Sequence, residues 1–310
     1  MSTTVQRRLP VGAEPVDGGT HFRVWAPNRR RVEVACEGFP RKFALECETD
    51  GYFSGFAGAV SPGTLYRFLL DGKDLCPDPA SRFQPDGPHG PSQVIDSSVY
   101  SWRNDTGKGV RIEGQIIYEM HIGTFTKEGT WQSAERRLGE LAEIGVTLIE
   151  VMPIADFPGS FGWGYDGVNL FAPARLYGAP DDLRSFVDTA HGFGIGVILD
   201  VVYNHFGPDG NYLRAFSKDY FTNRYDNEWG DAVNFDGPNS QFVREFVLSN
   251  ARYWIDEFHL DGLRLDATQQ IFDSSAEHII AAIAREARSA AKDRSIVIVV
   301  ENEPQSANLV

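Results

Sequence analysis

The sequence predicts two parts of different architecture, a small immunoglobulin-like β-sandwich followed by a (β/α)8 barrel. Residues 1 to about 100 contain short alternating stretches between turn residues and no long helical period, which is typical of an antiparallel sandwich. After residue 105, apolar strands alternate with amphipathic helices, which favours a parallel sheet covered by helices. No glycine-rich phosphate turn follows the first of these strands, so a barrel is expected rather than a doubly wound sheet.

The sandwich is assigned to residues 1–105. Its predicted strands share a period of two between apolar and polar residues, and they occupy residues 21–26, 31–35, 52–56 and 65–70. A connector rich in proline and glycine, residues 76–91, leads out of them. The boundary is placed at the polar stretch 104–109, where the strand and turn pattern gives way to strands and helices.

The barrel is assigned to residues 106–310 and contains five predicted strands. These occupy residues 115–120, 146–152, 196–202, 259–266 and 295–300. One predicted helix begins near Trp131, carries Leu138, Leu141 and Ile144 on one face and stops at Gly145. Three more are predicted at residues 181–193, 241–257 and 275–291. A long polar insertion, about 204–239, follows the third strand.

The strand count falls short of a closed barrel. Five strands are predicted before the sequence stops at Val310, and the second part is shorter than the roughly 250 residues of an ordinary barrel. We therefore expect a truncated barrel with strands 1–5 only. Because such a sheet exposes two edges, marginal stability or association is expected.

Composition narrows the classes of partner. The formal net charge of −14 argues against a nucleic-acid partner, which needs a basic surface. No apolar run approaches the roughly 18 residues of a membrane span, and the first ten residues do not resemble a secretory signal. The three cysteines fit neither a disulfide framework nor a paired metal site. A cytoplasmic protein without membrane contact is expected, and its oligomeric state stays open.

The stretch 259–266 carries the first candidate for chemistry. Leu263 and Leu265 alternate with Arg264 and Asp266, so the two charged side chains share one face of a strand. At the C-terminal end of a barrel strand that position is typical of catalytic residues. Arg264 would hold Asp266 ionised, as a nucleophile attacking a sugar carbon requires. A purely structural Arg–Asp pair is the alternative.

Polar residues also follow the third and fifth strands. Asp200, Asn204 and His205 cluster at the end of the third strand, and Glu301 follows the fifth, with Glu303 two residues later. Glu301 could protonate a leaving oxygen if apolar walls kept it protonated. Glu301 is favoured over Glu303 because Pro304 makes continuation of the strand unfavourable. Two facing carboxylates are the minimum for glycoside hydrolysis.

These motifs resemble the α-amylase clan, glycoside hydrolase family 13. Residues 200–205, 262–266 and 299–301 look like its first three signature blocks, in the same order. The resemblance implies that Asp266 is the nucleophile, Glu301 the acid/base and Arg264 the partner of Asp266. It also implies substrate contacts by a set of residues near the cleaved bond: His205, Asp200, Asn204, Tyr165 and Trp163.

Finer stretches are similar to one subfamily, the malto-oligosyltrehalose trehalohydrolases. These are residues 118–126, 128–131, 207–213 and 229–236, while residues 22–27 resemble the carbohydrate-binding module 48 type shared with glycogen branching enzymes. The resemblance implies cleavage of the α-1,4 bond next to a terminal trehalose of an α-1,4-glucan oligosaccharide. A branching enzyme and a non-catalytic α-glucan-binding protein are the alternatives.

The sequence also departs from the clan. The third carboxylate of the clan lies on a later strand, beyond Val310, and Gln269–Gln270 stands where a histidine is expected. Asn204 matches a calcium ligand of many amylases, but no acidic loop dense enough for calcium is evident. No metal and no cofactor are therefore expected.

Overall fold

The computed structural model describes residues 7–104 and 108–306. The predicted boundary between residues 105 and 106 lies outside the described residues, so it stays a prediction. Within the described ranges, no helix is long and apolar enough to cross a membrane.

Two antiparallel sheets form the first part. One has the strand order β1-β2-β6-β5 and the other β4-β3-β7-β8, with β9 paired to β7. The strands are β1 (Gly12–Val16), β2 (Gly19–Trp25), β3 (Val32–Cys36), β4 (Phe43–Ala44), β5 (Glu46–Cys47), β6 (Tyr52–Gly58), β7 (Leu65–Leu70), β8 (Asp74–Cys76) and β9 (Ser92–Gln93).

The two sheets pack face to face through aromatic side chains. The ring of Phe22 in β2 lies 4.9 Å from that of Tyr66 and 6.4 Å from that of Phe68, both in β7, centroid to centroid. All three side chains are fully buried, as expected for alternating strands whose inner faces meet. The four predicted strands coincide with β2, β3, β6 and β7. The immunoglobulin-like topology stays a prediction.

A five-stranded parallel sheet forms the second part, and its strands lie side by side in chain order. They are β10 (Ile117–Met120), β11 (Leu148–Val151), β14 (Gly196–Val201), β17 (Gly262–Leu265) and β18 (Val297–Val300). This order agrees with the predicted barrel type of α/β fold. Within residues 108–306, β10 and β18 form the two edges of this sheet.

Helices and two small ribbons surround the sheet. The ribbons pair β12 (Ala155–Asp156) with β13 (Asn169–Pro173) and β15 (Phe221–Thr222) with β16 (Ala232–Val233). The helices are α1 (Ile122–Phe125), α2 (Trp131–Glu135), α3 (Leu138–Glu143), α4 (Pro180–Gly192), α5 (Leu213–Phe216), α6 (Ser240–Glu257) and α7 (Ile279–Ala291). The insertion at 204–239 thus holds α5, β15 and β16.

Two helix predictions were wrong in detail. The helix expected from Trp131 to Ile144 is two short helices, and Ile144 is 72% exposed because it lies past the end of α3, just before a turn at Gly145. The helix expected from residue 275 begins only at Ile279. Asp273 accepts the backbone N–H groups of residues 275 and 279, which holds that stretch as a loop ahead of α7.

Buried charges connect the first part to the second. Glu257, at the end of α6, pairs with Arg82 at 2.7 Å, and its other carboxylate oxygen lies 3.7 Å from Arg184. The side chains of all three are at most 4% exposed. Stacking of Trp25 on Phe242, with ring centroids 5.0 Å apart, adds an apolar contact across the same interface.

Replacing Glu257→Gln should therefore destabilise the protein strongly. The change leaves Arg82 buried without its carboxylate partner, while Arg184 keeps its ion pair with Asp181. Breaking a buried pair costs roughly 3–5 kcal/mol. Urea unfolding measures the loss. The control is Glu140→Gln, which removes an exposed pair with Arg137 and should change stability little. Equal unfolding midpoints for the parent and Glu257→Gln would contradict the assignment.

Candidate active site

The parallel register brings the predicted polar side chains to one edge of the sheet. Asp200 in β14 lies directly opposite Arg264 in β17. Asp266 and Glu301 follow immediately after the ends of β17 and β18, which are paired at Leu265 and Val300. All four residues therefore lie at the carboxyl ends of neighbouring strands, where barrel enzymes place their catalytic groups.

The guanidinium of Arg264 is the centre of this group. Its Nη1 donates to Asp200 Oδ2 at 2.8 Å and to Asp266 Oδ1 at 2.9 Å. Its Nη2 lies 3.0 Å from Glu301 Oε2, and its Nε lies 3.9 Å from Glu150 Oε1. Burial lowers the pKa of Arg264, but Asp200 and the other carboxylates outweigh that effect and raise it above its usual value. Arg264 thus remains a cation within contact distance of four carboxylates.

Glu150 was not predicted as part of the site. It lies in β11 and shares the inner face of the sheet with Leu148. Burial raises the pKa of Glu150, against the opposing effect of Arg264. The available signal was a single carboxylate within an otherwise apolar predicted strand.

Both carboxylate oxygens of Asp266 accept hydrogen bonds. Arg264 donates to Oδ1, and the side-chain amide of Asn204 donates to Oδ2 at 2.9 Å. The same amide also donates to the backbone oxygen of Asp266 at 2.9 Å. Asn204 is buried, and both of these hydrogen bonds from its side-chain nitrogen hold Asp266 in place.

The carboxylate of Asp200 links Arg264 to Tyr165. Its Oδ2 accepts hydrogen bonds from Arg264 and, at 2.9 Å, from the hydroxyl of Tyr165. Its Oδ1 has no partner among the described residues. Burial raises the pKa of Asp200 to about 7, although Arg264 acts in the opposite direction. Asp200 is thus buried in contact with Arg264 and Tyr165. A direct substrate contact by this residue stays a prediction.

His205 lies beside Asn204 under an aromatic side chain. Its Nδ1 hydrogen-bonds to the Asn204 side-chain oxygen, and its ring centroid is 5.0 Å from that of Trp229. Burial lowers the pKa of His205, with Asp266 opposing the shift. Trp229 belongs to the insertion and is 45% exposed. Trp229 was not predicted as a site residue, because a lone tryptophan in a polar loop carries no periodic signal.

Glu301 is held by the loop that follows Asp266. Its Oε2 accepts the backbone N–H of Ala267 at 2.9 Å. Its backbone oxygen accepts the N–H and the hydroxyl of Thr268, at 2.9 and 2.6 Å. Apolar walls, the condition stated for Glu301 as a proton donor, do not enclose its side chain among the described residues. The side chain is 46% exposed and pairs with Arg264, because it follows an edge strand.

Trp163 lies outside this polar cluster and is 75% exposed, so its role as a substrate contact stays a prediction. Within residues 7–104 and 108–306, no group of three or more His, Cys, Asp or Glu side chains could hold a metal ion.

The stability of the protein should depend on pH through Asp200. Its folded pKa of about 7 lies above the ordinary value of about 3.9, so the folded state binds this proton more tightly than the unfolded state does. The resulting stabilisation is full below about pH 4 and is lost as the pH rises through about 7. Between pH 5 and 8, unfolding of the parent and of Asp200→Asn is compared in urea. The parent should lose stability relative to the variant as the pH rises; a constant or opposite difference would contradict the assignment.

Comparison with known proteins identifies related sequences. The family model "Alpha amylase, catalytic domain" matches residues 97–241. Malto-oligosyltrehalose trehalohydrolase from Saccharolobus solfataricus is 45% identical over 278 residues, which is 89% of this chain and 49% of that protein. A 1,4-alpha-glucan branching enzyme from Rhodospirillum rubrum is 35% identical over 83% of this chain and 39% of its own length.

A solved structure shares the fold closely. It belongs to a Salmonella typhimurium protein described as a candidate α-amylase, and it superposes with a TM-score of 0.90 at 44% identity, over 95% of this chain and 50% of that one. The chain spans about half the length of the curated relatives it matches. The predicted resemblance to the clan and to its trehalohydrolase subfamily is confirmed. The chain belongs to the α-amylase family.

Proposed function

We propose that this chain carries the catalytic centre of a retaining glycoside hydrolase that releases trehalose from malto-oligosyltrehalose. The observation that carries the proposal is the sharing of one guanidinium by Asp266 and Glu301 at adjacent strand ends. Relatives named malto-oligosyltrehalose trehalohydrolase, at 45% and 44% identity over about nine-tenths of this chain, support the choice of substrate. The bond cleaved is the α-1,4-glucosidic bond next to the terminal trehalose.

The proposed reaction is a double displacement. Asp266 attacks the anomeric carbon while Glu301 protonates the departing glycosidic oxygen, and a covalent glycosyl-enzyme forms. Glu301 then takes a proton from water, which attacks the same carbon and releases Asp266. Retaining enzymes hold their two carboxyl groups about 5–5.5 Å apart, and contacts of Asp266 and Glu301 with one guanidinium, at 2.9 and 3.0 Å, allow such a separation.

The surrounding residues position these two carboxyl groups. Asn204 and Arg264 each bind one oxygen of Asp266, which leaves the carboxylate little rotational freedom before attack. Tyr165 is fixed through its hydroxyl on Asp200, so its ring is available to a sugar in the cleaved subsite. The open side of Glu301 would be covered by the bound oligosaccharide, which excludes water from the carboxyl group and from the reacting bond.

A glycogen branching enzyme is the second candidate, favoured by the 35% identity to a protein of that name. The roles of Asp266 and Glu301 would be the same, but a 6-hydroxyl of a glucan would replace water as the attacking group. The products therefore separate the two: free trehalose for the hydrolase, new α-1,6 branch points for the transferase.

The test is product analysis with malto-oligosyltrehalose and, separately, maltoheptaose. We expect trehalose from the first and little cleavage of the second. Glu301→Gln should lower the turnover rate by roughly 10²–10⁴-fold, since it removes general acid–base catalysis, and Asp266→Asn should abolish turnover. Glu303→Gln is the matched control, because this exposed residue lies in the turn beyond β18 and should leave turnover unchanged.

Other outcomes would overturn the proposal. New α-1,6 linkages would assign the branching reaction instead. Binding of the oligosaccharide with equal behaviour of the parent and Asp266→Asn in every assay would assign a non-catalytic α-glucan-binding protein.

A further inference from the structure

The loop between β12 and β13 exposes two large aromatic side chains. Phe161 is 95% exposed and Trp163 is 75% exposed. Large aromatic rings normally contribute their area to a core or an interface. Two such rings, two residues apart on one loop, form an apolar surface that nothing in the fold covers among the described residues.

This loop is anchored at its start. Arg175 forms an ion pair with Asp156 at 2.8 Å and donates to the backbone oxygens of Phe157 and Gly159, each at 3.0 Å. Asp156 itself is fully buried. The chain therefore enters the loop in a fixed direction.

The middle of the loop is anchored as well. His121 Nε2 lies 2.9 Å from the backbone oxygen of Gly162. A Cβ atom at Gly162 would come 2.9 Å from the ring of Phe157, and one at Gly164 would come 1.9 Å from the backbone oxygen of Pro153. The backbone at both glycines thus lies directly on the protein, while the ring of Trp163 between them and that of Phe161 before them extend into solvent.

The exposed rings adjoin the candidate active site. Tyr165 follows Gly164 at once, and its hydroxyl is bound to Asp200 in that site. A ligand extending from Tyr165 along the loop would meet Trp163 and then Phe161. The loop is held in place without the ligand, so binding to it costs little ordering entropy.

We propose that Phe161 and Trp163 form a stacking platform for a glucose ring of an α-glucan chain, outside the subsite next to Tyr165. The ligand class rests on the proposed function, whereas the platform rests on the anchored loop and its exposed rings. A pyranose ring offers a flat face of C–H groups that an aromatic ring covers well. It is also uncharged, so an apolar surface can cover it without the cost of burying a charge.

The experiment measures binding of maltoheptaose and maltose to the full chain by calorimetry. All variants carry Asp266→Asn so that the ligand is not consumed. Phe161→Ala should weaken maltoheptaose binding about 2- to 12-fold, the range expected for loss of one aromatic contact. Maltose binding should change less, because the disaccharide is too short to span both subsites. Phe193→Ala is the matched control: Phe193 is 51% exposed and follows α4, away from the loop, so its loss should not affect binding.

Three binding results would overturn the platform. They are unchanged maltoheptaose affinity in Phe161→Ala, equal losses in Phe161→Ala and Phe193→Ala, and no maltoheptaose binding by the parent. Sedimentation that shows self-association abolished by Phe161→Ala would assign the rings to a protein contact instead. Trehalose release is scored separately, so the platform can stand if the proposed hydrolase activity fails, and the activity can stand if the platform fails.

Discussion

The candidate site depends on one guanidinium. Carboxylates from consecutive strands, Asp200, Asp266 and Glu301, all contact Arg264, and Glu150 approaches it from β11. Acidic groups this close would repel one another without a cation between them. The parallel register makes the arrangement possible, because it sets Asp200 directly beside Arg264 and brings the ends of β17 and β18 level.

The loop after β17 also holds Glu301 in position. Ala267 has a φ of 41°, in the left-handed region that favours glycine, and this turn directs its N–H group to Glu301. Thr268 then binds the backbone of Glu301 with both its N–H and its hydroxyl. A strained residue next to a candidate nucleophile is consistent with the tendency of such conformations to occur at functional sites. The loop after one carboxylate thereby fixes the position of the other.

Much of this site was predictable from local pattern. The alternation around Arg264 and Asp266, and the polar residues at the ends of apolar strands, are enough to place Asp200 and Glu301 on the same edge, since parallel strands share it. Glu150 was missed because its inclusion depends on which strand neighbours which, and periodicity within a strand does not contain that information. The exposure of Glu301 likewise depends on its neighbours rather than on its own sequence.

In the fold as well, contacts between distant parts of the chain could not be predicted from local sequence pattern. The strands of the sheet were predicted to within a few residues, whereas the buried pair of Arg82 and Glu257 joins residues 175 positions apart and has no local signature. The break between α2 and α3 was also missed, because the apolar spacing continues through it. Exposed Ile144 shows that such spacing does not by itself decide which residues are covered.

The most direct test of Asp266 as a nucleophile held by Arg264 is covalent trapping with an activated, fluorinated α-glucosyl substrate. Its leaving group departs readily, while the ring fluorine slows hydrolysis of the glycosyl-enzyme. Peptide mass spectrometry should find one fluorohexosyl adduct on Asp266 in the parent and none in Asp266→Asn. An adduct on another carboxylate, or none in the parent, would contradict the account.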